Sequence, residues 1–135
     1  MAARSKARKR AVDVLYEADV RGSDRLELLR DRIETGNPPV PEHTIRLVEG
    51  VAEHAARIDG LIDAHAANWS LDRLPDVDRA ILRMAVFELL WVDDVPDAVV
   101  IDEAVTLAKQ LSTDDSPAFV NGVLGGILAT EVPTP

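Results

Sequence analysis

Apolar residues recur along this chain at intervals of three and four, the period of an amphipathic helix, and few segments alternate as strands do. Glycine and proline cut the pattern into pieces. A first helix is predicted over residues 3–20, with Ala7, Ala11, Val14, Leu15 and Ala18 as its inward stripe and Gly22 as its stop. A second spans 24–35, with Leu26, Leu29 and Ile33 inward, and ends at Gly36. Residues 37–41 read as a proline-rich loop. A long third helix covers 42–67, with Ile45, Val48, Val51, Ala52, Ala55, Ile58 and Ile62 inward. Gly50 and Gly60 weaken it, each by about 1 kcal/mol relative to alanine.

After a short turn at 71–74, a helix is expected from Pro75 to about Val92, with Asp76 and Asp78 suited to the dipole of its first turn. Another covers 99–111. The last opens with Ser116 as N-cap and Pro117 as its first helical residue. It carries Phe119, Val120, Val123, Leu124, Ile127 and Leu128, and ends before Pro133. The expected architecture is all-α, a compact bundle of six to seven helices forming one domain over residues 1–135.

Composition narrows the chemistry. With 135 residues and 47% apolar content, the chain can bury a core without staples. It has no cysteine, which excludes disulfides, a thiol nucleophile and Cys-ligated zinc, and fits a reducing, cytoplasmic setting. No run approaches the roughly 20 apolar residues of a membrane helix. The basic start meets Asp13, Glu17 and Asp19 at once, so no signal peptide is expected. His43, His54 and His65 are spaced by eleven. On one helix that separates them by about 16 Å per step, too far to share a metal. The glycines at 122, 125 and 126 form no phosphate loop or dinucleotide fingerprint. Neither a cofactor nor a catalytic constellation is expected.

The net charge of −9 is unevenly spread. Residues 1–10 hold five cations (Arg4, Lys6, Arg8, Lys9, Arg10) and no acid, so the remainder carries −14. Five cations at a helix start oppose the macrodipole, and an incoming phosphate would relieve them and use the free N–H groups. The arm is therefore expected to fray alone and to order on RNA. Replacing Arg4, Arg8 and Arg10 with glutamate should then abolish RNA binding and leave the fold intact. Tyr16 lies within about 20° of Lys9 on a helical projection. It is either a base-stacking platform beside cations or a packing residue. From Ala80 to Val92 only Arg83 and Glu88 are charged. Glu88 sits among Val77, Ile81 and Met84, where it either caps a neighbouring helix or meets another protein. Trp69 and Trp91 read as core or interface anchors.

Four blocks resemble the NusB family of transcription antitermination factors: ARKRAVDVLYEAD at 7–19, LDRLPDVDRAILRMAVFELL at 71–90, VVIDEAVTLAKQLSTDDS at 99–116 and FVNGVLGGIL at 119–128. The resemblance implies two packed helical subdomains and no catalysis. It implies binding of a single-stranded boxA element in ribosomal leader RNA, jointly with the ribosomal protein NusE, within an RNA polymerase antitermination complex. Some members form homodimers. By position, the RNA-binding set would be Arg4, Lys6, Arg8, Lys9, Arg10, Tyr16, Asp115 and Phe119. The NusE surface would fall around Asp78, Arg79 and Glu88. Ser5 interrupts the basic run, Phe87 replaces a common tyrosine, Asp102 a frequent asparagine and Gly125 a frequent acid. The competing readings are a helical protein-interaction module with an incidental basic arm, and an RNA-modifying enzyme, since such domains also occur fused to RNA methyltransferases.

Overall fold

The computed structural model describes residues 2–67 and 69–131. Among them are seven α-helices and no strand: α1 (Ala2–Arg21), α2 (Arg25–Thr35), α3 (Glu42–Glu53), α4 (Ala55–His65), α5 (Asp76–Trp91), α6 (Asp97–Leu111) and α7 (Ser116–Glu131). A single 3₁₀ turn, Leu71–Arg73, joins α4 to α5. The expected stop at Pro133 lies outside the described residues.

The hub is α5. Every residue from Ala80 to Leu89 is buried, because α1, α3, α4, α6 and α7 all pack against it. A helix apolar all round requires such an enclosure. On one side α1, α2 and α3 pack on one another; on the other, α7 packs against α4 and α6. This gives two helical groups that share α5. The stripe of α1 is buried as expected, from Ala7 through Ala18, with Val12 added to it.

Three expectations change. The long third helix is two helices. At His54 the backbone turns to φ −109° and ψ 21°, although its N–H still donates to the Gly50 carbonyl and its own carbonyl accepts from Ile58. The His54 ring lies flat on Trp91, with centroids 4.1 Å apart and planes 10° from parallel, so packing onto α5 overrides helical continuity there. Gly50 is a requirement rather than a weakness: a Cβ at this position would stand 2.1 Å from Cζ of Phe87. In α2 the buried pair is Leu28 and Leu29, while Leu26 and Ile33 face solvent. Asp24 caps α2, its Oδ1 accepting from the N–H groups of Leu26 (2.8 Å) and Glu27 (3.1 Å).

Candidate nucleic-acid interface

The start of α1 is tied to the body. Arg8 is only 2% exposed. Its Nε donates to Glu88 Oε1 at 2.8 Å, Nη2 to Glu88 Oε2 at 2.7 Å and Nη1 to Glu103 Oε1 at 3.1 Å. His43 Nε2–H donates to the same Glu88 carboxylate at 3.1 Å. Burial alone would push the Glu88 carboxyl up, but the bonds from His43 and Arg8 outweigh it and hold the group below the ordinary glutamate value. Ser5 Oγ donates to Glu103 at 2.6 Å, and Arg4 pairs with exposed Asp94 at 3.1 Å. The arm expected to fray is thus a docked helix, and its third cation is internal.

Two site assignments are corrected by this geometry. Arg8 cannot reach phosphate without abandoning two carboxylates. Asp78, Arg79 and Glu88 do not form an outer face: Glu88 is buried against Arg8, and Asp78 is buried where Ser112 Oγ (2.6 Å) and Ser116 Oγ (2.9 Å) donate to its carboxylate. Arg79 donates from Nε to Asp19 at 2.8 Å and from Nη1 to the carbonyls of Leu71 (3.0 Å) and Leu74 (3.1 Å). It also pairs with Asp76. These three residues join elements together. Glu88 neither caps a helix nor reaches a surface. The signal was present in the sequence: Arg8, Val12 and Leu15 fall at i, i+4 and i+7, which puts the arginine on an inward face, opposite a carboxylate equally out of place.

What remains at the surface is coherent. Lys6 and Lys9 are exposed, and Arg10 is half-buried with Nη2 donating to the Pro38 carbonyl at 3.2 Å. Arg4 keeps its exposed ion pair, which solvent weakens. Tyr16 is 39% exposed, two turns along the Lys9 face, so it is not a core residue. Asp115 is exposed and Phe119 partly buried. Both line a cleft of about 280 Å³ with Trp69, Leu74, Pro75, Asp78, Thr113 and Ser116.

That cleft is built from three elements. The loop 112–115 is pinned because Asp78 on α5 accepts from the hydroxyls on either side of it. The expected N-cap role of Ser116 is not observed: its hydroxyl is used on Asp78, and the Asp115 carbonyl accepts the Phe119 N–H instead. The opposite wall, Leu74 and Pro75, is held by Arg79, which also links it to α1 through Asp19. Pro75 stands one residue before α5, with its carbonyl accepting from Arg79 N–H. Trp69 was read as an anchor; it is 52% exposed at the cleft mouth. Its place in the polar stretch after α4, off any apolar stripe, was the available clue.

The remaining histidines are dispersed, His54 on Trp91 and His65 between the Leu61 carbonyl (2.9 Å) and Thr130 (3.1 Å). No group of three or more His, Asp or Glu residues fit to hold a metal occurs among the described residues. No described helix is long and apolar enough to cross a membrane.

Comparison with known proteins gives one answer. The sequence pattern of the NusB family matches residues 5–129. A transcription antitermination protein NusB of Saccharopolyspora erythraea is 63% identical over 129 residues, covering 94% of this chain and 87% of that protein. The fold matches a crystal form of T. maritima NusB with a TM-score of 0.84 and 35% identity, over 96% of this chain and 93% of that one. It also matches a crystal structure of the antitermination factors NusB and NusE in complex with double-stranded RNA. There the TM-score is 0.83 and the identity 34%, over 96% of this chain and 98% of that one.

Proposed function

The chain belongs to the NusB family of transcription antitermination proteins, which are not enzymes, and from that premise we propose that it binds boxA-type RNA of ribosomal leaders together with NusE. The observation that carries the reading is the exposed cation row of α1, Lys6 and Lys9 with Tyr16 on the same face, attached to a body of opposite sign. Cations on one face supply phosphate contacts, and the aromatic supplies a stacking surface. Arg4 and Arg10 extend the row, since each is held only by a weak surface contact. Asp115 and Phe119 contribute base contacts from the cleft. Arg8 is removed from the contact set and keeps α1 in place.

The RNA is single-stranded in this reading, because unstacked bases are needed to use Tyr16 and Phe119. The related NusB–NusE structure holds double-stranded RNA, so strandedness is part of the test. The acidic body repels RNA at long range, and a basic partner such as NusE offsets that repulsion. RNA polymerase joins through the same assembly, and a second copy of the chain is a competing occupant of the functional surface.

The test is a titration of boxA-type RNA, single-stranded and duplex, with NusE absent and then saturating. Single strands should bind more tightly than duplex, and affinity should rise at least tenfold with NusE. Equal affinity in both series would remove NusE from the RNA site. No binding in any series would leave the protein-interaction module as the better reading.

A further inference from the structure

Ser5 interrupts the basic run of α1, and the RNA-binding reading makes no use of it. It is the one hydroxyl residue of the chain with a lysine or arginine on both sides, and Arg8, Lys9 and Arg10 follow within five positions. On the helix it falls one turn before Arg8 and Lys9, on the face between them. It therefore stands at the border of the buried and exposed sides of α1, and is half-buried itself. Its Oγ donates to Glu103 Oε1 at 2.6 Å, the same oxygen that accepts from Arg8 Nη1 at 3.1 Å. Glu103 keeps 19% of its side chain exposed, so this end of the network opens to solvent while Arg8 and Glu88 are closed off. The helix start is lightly held. Ala3 and Lys6 are exposed and Arg4 is half-buried; among the described residues, the first buried side chains of α1 are Ala7 and Arg8. Unwinding as far as Lys6 gives up the Ser5–Glu103 bond and the surface Arg4–Asp94 pair but opens no core, because Arg8 holds the rest of the helix.

We propose that Ser5 is a phosphoacceptor for a serine/threonine protein kinase that reads basic flanks, and that its phosphate masks the cation row of α1. The masking half of the proposal rests on the RNA-binding reading above. In the transfer, Ser5 Oγ attacks the γ-phosphorus of ATP. The new O–P bond forms as the bond from that phosphorus to the β,γ-bridging oxygen breaks. ADP leaves with the electron pair, and the hydroxyl proton passes to the base of the kinase. The flanking cations complement an acidic substrate groove, a charge pattern by which kinases select substrates. The product has no proton to donate to Glu103 and sets a charge of about −2 against that carboxylate, so the side chain turns away from α6. On its other side Lys9 is exposed one turn on, and the N-terminal N–H groups of α1 supply donors. An RNA phosphate would use the same groups. A phosphate carried by the chain thus cancels about two of the four cations, Arg4, Lys6, Lys9 and Arg10, that Arg8 leaves to the row.

The experiment uses the full chain, magnesium-ATP and the catalytic domain of protein kinase C, a kinase that selects basic flanks. Tandem mass spectrometry should find a phosphate on Ser5 and none in Ser5→Ala. The phosphorylated chain and the parent are then titrated with single-stranded boxA-type RNA at several salt concentrations. Phosphorylation should lower the magnitude of the log–log salt slope by about 1.4, two cations at about 0.7 each. That difference weakens binding by about 25-fold at 0.1 M salt, one decade below a 1 M reference. Phosphatase treatment should restore the parent affinity. Ser5→Ala should bind RNA as the parent does, because it loses the Glu103 bond without gaining a charge. The phosphorylated chain should melt no lower than the parent, since an anion at a helix N-terminus offsets the lost bond.

Phosphate on another hydroxyl instead, or none at all, would overturn Ser5 as the acceptor. Equal affinity and slope before and after phosphorylation, in a parent that binds RNA, would overturn the masking. So would an equal loss of affinity in Ser5→Ala, which would assign the effect to the Glu103 bond, or a lower melting temperature, which would mean that the phosphate undocks α1. Failure of the parent to bind any RNA, with or without NusE, would instead overturn the reading on which the masking rests, and the mass spectrum would still decide the acceptor.

Discussion

A guanidinium and a carboxylate leave water at the junction of α1 and α5, and both are compensated. Arg8 meets Glu88 through two parallel bonds and Glu103 through a third, and His43 satisfies the remaining side of Glu88. Desolvation of such a pair is expensive, and removal of one partner leaves an uncompensated buried charge. Arg8→Met should therefore cost about 3–5 kcal/mol in a denaturant melt. The double variant Arg8→Met with Glu88→Leu should recover much of it, and failure to recover would show that packing rather than charge is at stake. Replacing Arg4, Arg8 and Arg10 together is consequently a poor probe of RNA binding, since it unfolds α1 from the body. Acid gives an independent check. The folded Glu88 carboxyl titrates below its ordinary value of 4.5. Its stabilisation is thus fully present above pH 4.5 and is lost as the pH falls through the folded value. Stability followed by circular dichroism should decline below that pH, and more steeply in the parent than in Arg8→Met/Glu88→Leu.

Between elements, close approach decides more than propensity does. In α3, Gly50 lets the Phe87 ring lie against the backbone, and Phe87, Trp91 and His54 form a three-ring cluster, with centroids 5.9 Å (Phe87–Trp91), 4.1 Å (Trp91–His54) and 6.0 Å (His54–Phe87) apart. Helix propensity favours alanine over glycine by about 1 kcal/mol. The structure reverses the sign, because the added methyl would meet three ring carbons within 2.5 Å. Gly50→Ala should destabilise by about 1–3 kcal/mol, the cost of overpacking. Gly60→Ala, where a Cβ meets nothing within 4 Å, should be neutral or slightly stabilising. The same pair of melts in a Phe87→Leu background should show the Gly50→Ala penalty shrink; an unchanged penalty would refute the ring contact as its cause.

At the scale of the molecule, charge segregation sets what the proposed RNA binding should look like. With Arg8 internal, four cations of the arm can reach phosphate. At about 0.7 per phosphate on a single strand, the log–log salt slope for the chain alone should not exceed about 2.8 in magnitude. Lys6→Glu with Lys9→Glu should lower that slope by about 1.4 and weaken binding to all sequences alike. A slope well above that ceiling would mean that cations outside α1 engage the RNA. The variant should melt as the parent does, because both lysines are exposed.

The all-helical class, the position of α1, the enclosed character of α5 and the family were determined by the sequence itself. Period, punctuation and motif order are local properties, and they survive without knowledge of neighbours. The candidate cations and aromatics were legible for the same reason. Their division was not. Whether a charged residue faces solvent or a partner depends on what stands opposite it, often tens of residues away. Arg8 and Glu88 are each anomalous on their own helix and become ordinary only as a pair, 80 positions apart. The break at His54 follows from a ring on α5, and the role of Gly50 from another ring on that helix. Trp69 gained a cleft only when α5 and α7 were brought beside it. Tertiary structure decided which charges were cancelled and which remained at the surface, because desolvation is set by the whole packed chain and not by any segment of it.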